Sequence, residues 1–367
     1  MSTETQLQTL NFVNVFRSAA IIWIVAGHTI GNTVLGGVPG HPLLSTMLYE
    51  IFSWGTTLFV FIAGYLFEYL LPKYEYKKYL KKKWLNVISP YLIWSIPGII
   101  ALIHSSAPNA HLFKSASLLE QAIYLCLTGG FCITSWFIPM ISIFFLCAPL
   151  LIKYRQSLYL FLPVLLLYTV SVDRITFFPL SEDIILSSNP IKLLFCFAQT
   201  LFYASFFLSI YVLGMFCAQY RQRLQLFMTR GKMAVLLCIA IFFMVLRIIL
   251  TTQGIHFSNG DTAKIFLSVF LILWLDRTDY WFISHAGLNK VLNFISQYSF
   301  GIFFVHPYIL SLLLCGKLRL TPFRPSSLPV QIMTFIAVLG LSLFVLYILK
   351  LILIKLHVKN TRCFIGV

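Results

Sequence analysis

The stretch Asn14–Asn32, "NVFRSAAIIWIVAGHTIGN", decides how the rest of the chain is read. Its length and apolar content suit a membrane helix, since a hydrocarbon core is crossed by about 20 such residues. Yet it carries Arg17 and His28. At 100° per residue, a spacing of eleven is three turns plus about 20°. Both side chains therefore lie on one helix face, about 16 Å apart along the axis. Asn14 and Asn32 join that face, and Ile21 and Ile24 fill it between the two ionisable groups. Each charge alone has an ordinary reading, Arg17 as a snorkelling anchor and His28 as a helix-packing residue. Together on one face they predict a polar cavity, because ionisable groups inside a membrane mark function.

The rest of the sequence agrees with a membrane setting. Of 367 residues, 59% are hydrophobic and 10% charged, with mean hydropathy +0.88; a soluble domain is about a quarter charged. Apolar blocks recur from end to end. They predict an all-α, polytopic helix bundle with about ten spans, near 12–32, 48–71, 85–104, 134–152, 157–172, 191–218, 232–251, 262–276, 295–314 and 329–352. No segment is long and polar enough to stand apart, so residues 1–367 read as a single integral membrane domain. The first span contains Arg17 and lacks a small-residue cleavage site, so it is expected to be retained.

A net charge of +16 suggests nucleic acid at first sight. The distribution argues against it. The expected spans put 18 of the 27 Lys and Arg on one side of the membrane, which is the positive-inside asymmetry of a bilayer protein. The loop "PKYEYKKYLKKKW" (72–84) carries six lysines and is expected to be cytoplasmic. Counting from it puts both termini on the cytoplasmic side. The eight cysteines form no CxxC pair and no Cys/His set with metal spacing, so neither a structural disulfide nor a metal is expected. "LLEQAIYLCLTGGFC" (118–132), broken by Gly129 and Gly130, reads as a surface helix or a re-entrant piece. "YWFISHAGLNKVLNF" (280–294) reads as an interfacial helix.

Arg17 and His28 with ten residues between them in the first span, and Asn14 three before the arginine, resemble the acyltransferase-3 family of bacterial membrane O-acyltransferases. Further segments are similar in the family's order. "TTLFVFIAGYLF" (56–67) resembles its second span, with Ala63 where serine is common. "SWFIPMISIFFLCAPLL" (135–151) resembles its Trp-Phe to Pro-Leu-Leu span. "YSFGIFFVHPYIL" (298–310) resembles its Ser-Tyr-Gly to His-Pro span, with Phe300 replacing the tyrosine. One departure concerns charge. The family often has Arg-x-x-Arg before the proline of its third span, and here those positions are Lys83 and Asn86, ahead of Pro90.

The resemblance implies transfer of an acyl group, most often acetyl, from cytoplasmic acyl-CoA to a hydroxyl of an envelope polysaccharide or lipid-linked glycan. It also implies the bacterial cytoplasmic membrane and no bound cofactor beyond the acetyl-CoA donor substrate. A hydroxyl needs a base working near neutral pH, which a histidine can supply. His28 is assigned that role, with Arg17 holding the donor or stabilising the developing oxyanion and Asn14 orienting Arg17. Lys81, Lys82 and Lys83 are candidates for the donor's phosphates, although topology alone also explains a basic loop. Ser299 and His306, seven apart on one face, and Trp136 complete the candidate site. For His306 a packing role and for Trp136 an interfacial-belt role stand beside the functional one. A polar stripe in a ten-span bundle also suits an exporter of a glycan or lipid-linked sugar. Arg247 needs a carboxylate partner, with Glu50 and Glu68 both open. Asp173, Arg174, Glu182 and Asp183 read as a solvated outer loop or a sugar contact.

Overall fold

With no water in the hydrocarbon region, backbone groups must be satisfied within each segment, and helices do this. The computed structural model describes residues 10–30, 41–103, 117–172, 189–255, 260–315 and 327–367, and among them there is no strand. Asn32 and the acidic loop from Asp173 to Asp183 lie outside the described residues.

The helices, in order, are α1 (Asn11–Thr29), α2 (Pro42–Phe52), α3 (Gly55–Tyr69), α4 (Tyr76–Lys83), α5 (Ser89–Ile103), α6 (Leu118–Thr128), α7 (Phe137–Leu146), α8 (Ala148–Lys153), α9 (Arg155–Leu160) and α10 (Leu162–Ser171). There follow α11 (Asn189–Gln219), α12 (Arg221–Phe227), α13 (Arg230–Thr252), α14 (Gly260–Arg277), α15 (Asp279–Ser284), α16 (Ala286–Cys315), α17 (Leu328–Lys355) and α18 (Arg362–Ile365). Among the described residues seven helical segments are long and apolar enough to cross a membrane: 11–29, 43–69, 76–102, 190–219, 230–252, 286–314 and 328–355. The other three expected spans coincide with interrupted or charge-ended helices. The 134–152 region divides into α7 and α8, 157–172 into α9 and α10, and 262–276 is α14, which has Asp261, Lys264, Asp276 and Arg277 at its ends.

α1 lies at the centre. Of its most apolar window, 61% is buried, against 17% for α13 and α17, whose side chains therefore face outward. Phe12 and Phe16 of α1 pack on Tyr65 and Phe61 of α3 at ring separations of 6.2 and 5.8 Å. α3 in turn meets α11 at two glycines. A Cβ on Gly64 would lie 2.0 Å from the Tyr211 carbonyl oxygen, and one on Gly214 would lie 2.1 Å from that of Phe61. The backbones touch, as helices do in lipid where small residues allow it.

Ion pairs join helix ends. Glu68 takes Arg155 at 3.1 Å, Asp276 takes Arg221 at 2.5 Å, and Glu50 takes Arg247 at 3.2 Å. Glu50 is thus the partner of Arg247. Two local readings change. The 72–84 stretch is largely helical: α4 runs through one π turn (Trp84–Ile88) into α5, because no Gly or Pro falls between Tyr76 and Ser89 and Pro90 stands in the first turn of α5. The expected interfacial helix at 280–294 breaks at His285, and residues 286–294 begin α16. The 118–132 segment forms only the eleven-residue α6, opened by a Ser117–Glu120 capping box and closed by Gly129 at φ 70°.

Candidate active site

A polar seam runs between α1 and α16. On α16, Asn289, Asn293, Ser296, Ser299 and His306 recur at spacings of three, four and seven, which is one helix face. On α1 the matching face carries Asn11, Asn14, Arg17 and His28. The hydrogen bonds run in series. Asn11 Nδ2 donates to Asp279 Oδ1 at 2.9 Å, and Asn293 Nδ2 donates to Asn11 Oδ1 at 2.9 Å. Asn14 Nδ2 donates to Asn293 Oδ1 at 2.8 Å, and Ser296 Oγ to Asn14 Oδ1 at 3.4 Å. Arg17 Nη2 donates to Ser299 Oγ at 3.0 Å, and Ser299 Oγ donates in turn to the Ser296 carbonyl at 2.8 Å. Asn14 therefore reaches Arg17 through the Ser296 and Ser299 positions rather than by direct contact.

Arg17 also lines a cavity of about 520 Å3. Its other basic lining residues are Lys73, Lys78, Lys82, Lys83 and Arg362, and Glu75 is the only acid among the described lining residues. Glu75 is engaged with Lys78 at 2.6 Å. The remaining cations thus leave a strong excess of positive charge in a half-enclosed space, which concentrates anions. The floor is aromatic: Lys83 Nζ lies 4.5 Å from the Phe145 ring centre and 5.2 Å from that of Tyr79. Tyr74 also lines the cavity, and its buried hydroxyl has no hydrogen-bond partner. Burial raises the Tyr74 phenol above its ordinary pKa, so it stays a neutral donor. An unsatisfied buried donor beside unpaired cations suits an anion with several acceptor oxygens.

At the other end of α1, the His28 and His306 rings lie 5.4 Å apart, centre to centre. His306 is fully buried. Its Nδ1 lies 2.8 Å from the Ile302 carbonyl, which only accepts, so Nδ1 carries a proton. Its Nε2 is buried without a hydrogen-bond partner. A neutral imidazole here presents a free lone pair beside His28.

The sequence-derived candidates thus fall into three places. Arg17, Asn14 and Ser299 meet on the seam, and Lys82 and Lys83 join Arg17 on the cavity wall. His28 and His306 form the far pair; neither lines the cavity, and buried Ile21 and Ile24 lie between. Lys81 is exposed and off the cavity wall. Trp136 packs on Tyr203 at 5.1 Å and on Phe207 at 6.0 Å and is not among the cavity's lining residues. Asn293 and Ser296 were missed, although their stripe with Ser299 was readable at helical spacing. Tyr74 and Arg362 were also missed, and no local pattern marks either.

A family model described as an acyltransferase domain, that of the acyltransferase-3 family, matches residues 10–351. No curated protein and no solved structure matches the chain.

Proposed function

The chain belongs to the acyltransferase-3 family and is a multi-pass membrane acyltransferase; from that premise we propose that it moves an acyl group, acetyl in the first instance, from cytoplasmic acyl-CoA to a hydroxyl of an envelope polysaccharide or lipid-linked glycan. The observation that carries this reading is the cation-lined cavity beside Arg17, with the His28–His306 pair further along the same helix. CoA has phosphates at one end and its thioester at the far end of a long arm. The cavity suits the phosphates, through Arg17, Lys82, Lys83 and the unpartnered Tyr74 hydroxyl.

Distance supports a division of roles. Arg17 and His28 are separated by about 16 Å of helix, too far for both to act on one carbonyl. Arg17 is therefore the donor contact, and the oxyanion role is set aside. In the transfer step, His28 takes the acceptor hydroxyl's proton as its oxygen bonds to the acyl carbon. The carbon–sulfur bond breaks, and the same proton goes to the leaving thiolate. His306 supports His28 from the side. The site faces a bacterial cytoplasmic membrane with the lysine-rich end and both termini inside. Family membership favours transfer over export of an unmodified glycan. The test is an NMR spectrum of the host's surface polysaccharide with and without the gene. The expected result is loss of O-acyl resonances without the gene, and an unaltered spectrum would count against the proposal.

A further inference from the structure

Arg362 reaches the cavity from a segment that lies beyond the matched residues 10–351. After α17 the chain turns at His357, which adopts φ 58°, and comes back onto the bundle. One hydrogen bond from α5 and two buried side chains hold the returning segment on the bundle, and one internal hydrogen bond braces it. Ser89 Oγ of α5 donates to the Cys363 carbonyl at 2.7 Å. Thr361 Oγ1 donates to the Val367 carbonyl at 2.7 Å. Ile365 and Val367 are buried, at 5% and 8% exposure.

The fit against α16 is close enough to require glycine on both sides. A Cβ on Gly301 would lie 2.7 Å from Val367 Cγ2 and 2.8 Å from the Ile365 carbonyl oxygen. Gly366, at φ 75°, takes a backbone conformation that side chains rarely adopt. This docking holds Arg362 on the cavity wall, accessible and within electrostatic range of Arg17 and Lys83. Three cations converge there, and the only carboxylate among the described lining residues is occupied by Lys78. Like charges held together cost free energy unless an anion joins them. Of the three, Arg17 already gives one guanidinium nitrogen to Ser299, and Lys83 is a point charge.

We propose that Arg362 is a phosphate-gripping residue of the donor site, and that the 356–367 segment is a working part of that site. The inference rests on the reading of the cavity as the acyl-CoA site. The guanidinium fork takes two phosphate oxygens at once, which a lysine cannot do.

The test uses the full chain in membranes and compares acetyl-CoA with acetyl-pantetheine, which has the thioester arm and no phosphate. The quantity read is the ratio of kcat/KM for the two donors. Losing a charged hydrogen-bond pair should lower that ratio about tenfold in Arg362→Gln. Arg362→Lys should fall between that variant and the wild type. CoA binding to the purified protein should weaken in step, and should lose part of its salt dependence. A variant whose two donors fall together, or whose ratio is unchanged, would overturn the inference while leaving the donor reading intact. A wild-type protein that neither binds CoA nor prefers acetyl-CoA over acetyl-pantetheine would remove the donor reading itself, and this inference with it.

Discussion

Arg17 of α1 donates through Nη2 to the hydroxyl of Ser299 on α16 at 3.0 Å, and so faces a cation-rich cavity with its guanidinium already oriented. Ser299 is fully buried. The orientation is therefore fixed by protein, not by solvent. Ser299→Ala should leave the arginine charged but free to turn. A hydrogen bond to a charged group contributes about 1.5–3 kcal/mol, so the apparent KM for acetyl-CoA should rise about tenfold or more. Arg17→Lys should lose more, because it lacks the fork. Steady-state kinetics in membrane vesicles would check both, and an unchanged KM in Ser299→Ala would remove Ser299 from the donor contact.

His306 offers a second test. Its Nδ1 bond to the Ile302 carbonyl leaves Nε2 as a buried acceptor beside His28. His306→Phe keeps the ring volume and removes both nitrogens. Transfer should fall by about a hundredfold, within the usual range for proton-transfer groups, while the melting temperature in detergent stays near that of the wild type. Full activity in the folded variant would make His306 a packing residue.

Much of this arrangement was legible in the sequence, and what was legible shares a physical basis. The polar face of α1 follows from helical periodicity alone, so Arg17 and His28 could be placed before any partner was known. The partners were harder. Ser299 and His306 were readable as a pair, but Asn293 and Ser296 gain meaning only once α16 is set against α1. Lys83 was expected in a loop at the mouth of a span. It stands instead on a continuous helix, with its ammonium over Phe145, because lysine-rich runs are good helix formers. Arg362 was not legible at all. Its place depends on a chain reversal at His357 and on the bare surface of Gly301, and neither is encoded next to it in sequence. The three expected spans at 134–152, 157–172 and 262–276 show a related limit, since hydropathy does not see where a helix is interrupted or carries charge at its ends.

The ion pair between Glu50 and Arg247 carries a stability prediction. Glu50 is 4% exposed and Arg247 20%, at a separation of 3.2 Å. Removing one partner of a buried pair leaves the other charge uncompensated, at a cost of about 3–5 kcal/mol. Glu50→Gln should therefore destabilise strongly, and adding Arg247→Met should restore most of the loss. Thermal unfolding of purified protein measures this; equal destabilisation by the single and double variants would show that the charge balance is not what matters there.

Gly64 predicts a steric effect independent of chemistry. With its Cβ position 2.0 Å from the Tyr211 carbonyl oxygen, Gly64→Val must push α3 from α11. Overpacking of this kind costs about 1–3 kcal/mol or more. Reduced yield of folded protein is expected, with Gly64→Ala milder. A normal melting temperature in Gly64→Val would contradict the close backbone contact.

The most direct test of the central claim is label transfer. Membrane vesicles containing the protein and an envelope glycan acceptor are given acetyl-CoA labelled in the acetyl group, and base-labile label in the glycan is counted for wild type and His28→Gln. The account predicts labelled ester with the wild type, and background counts with a His28→Gln protein that is correctly inserted and still binds CoA. Undiminished label with His28→Gln, or no label with the wild type, would contradict it.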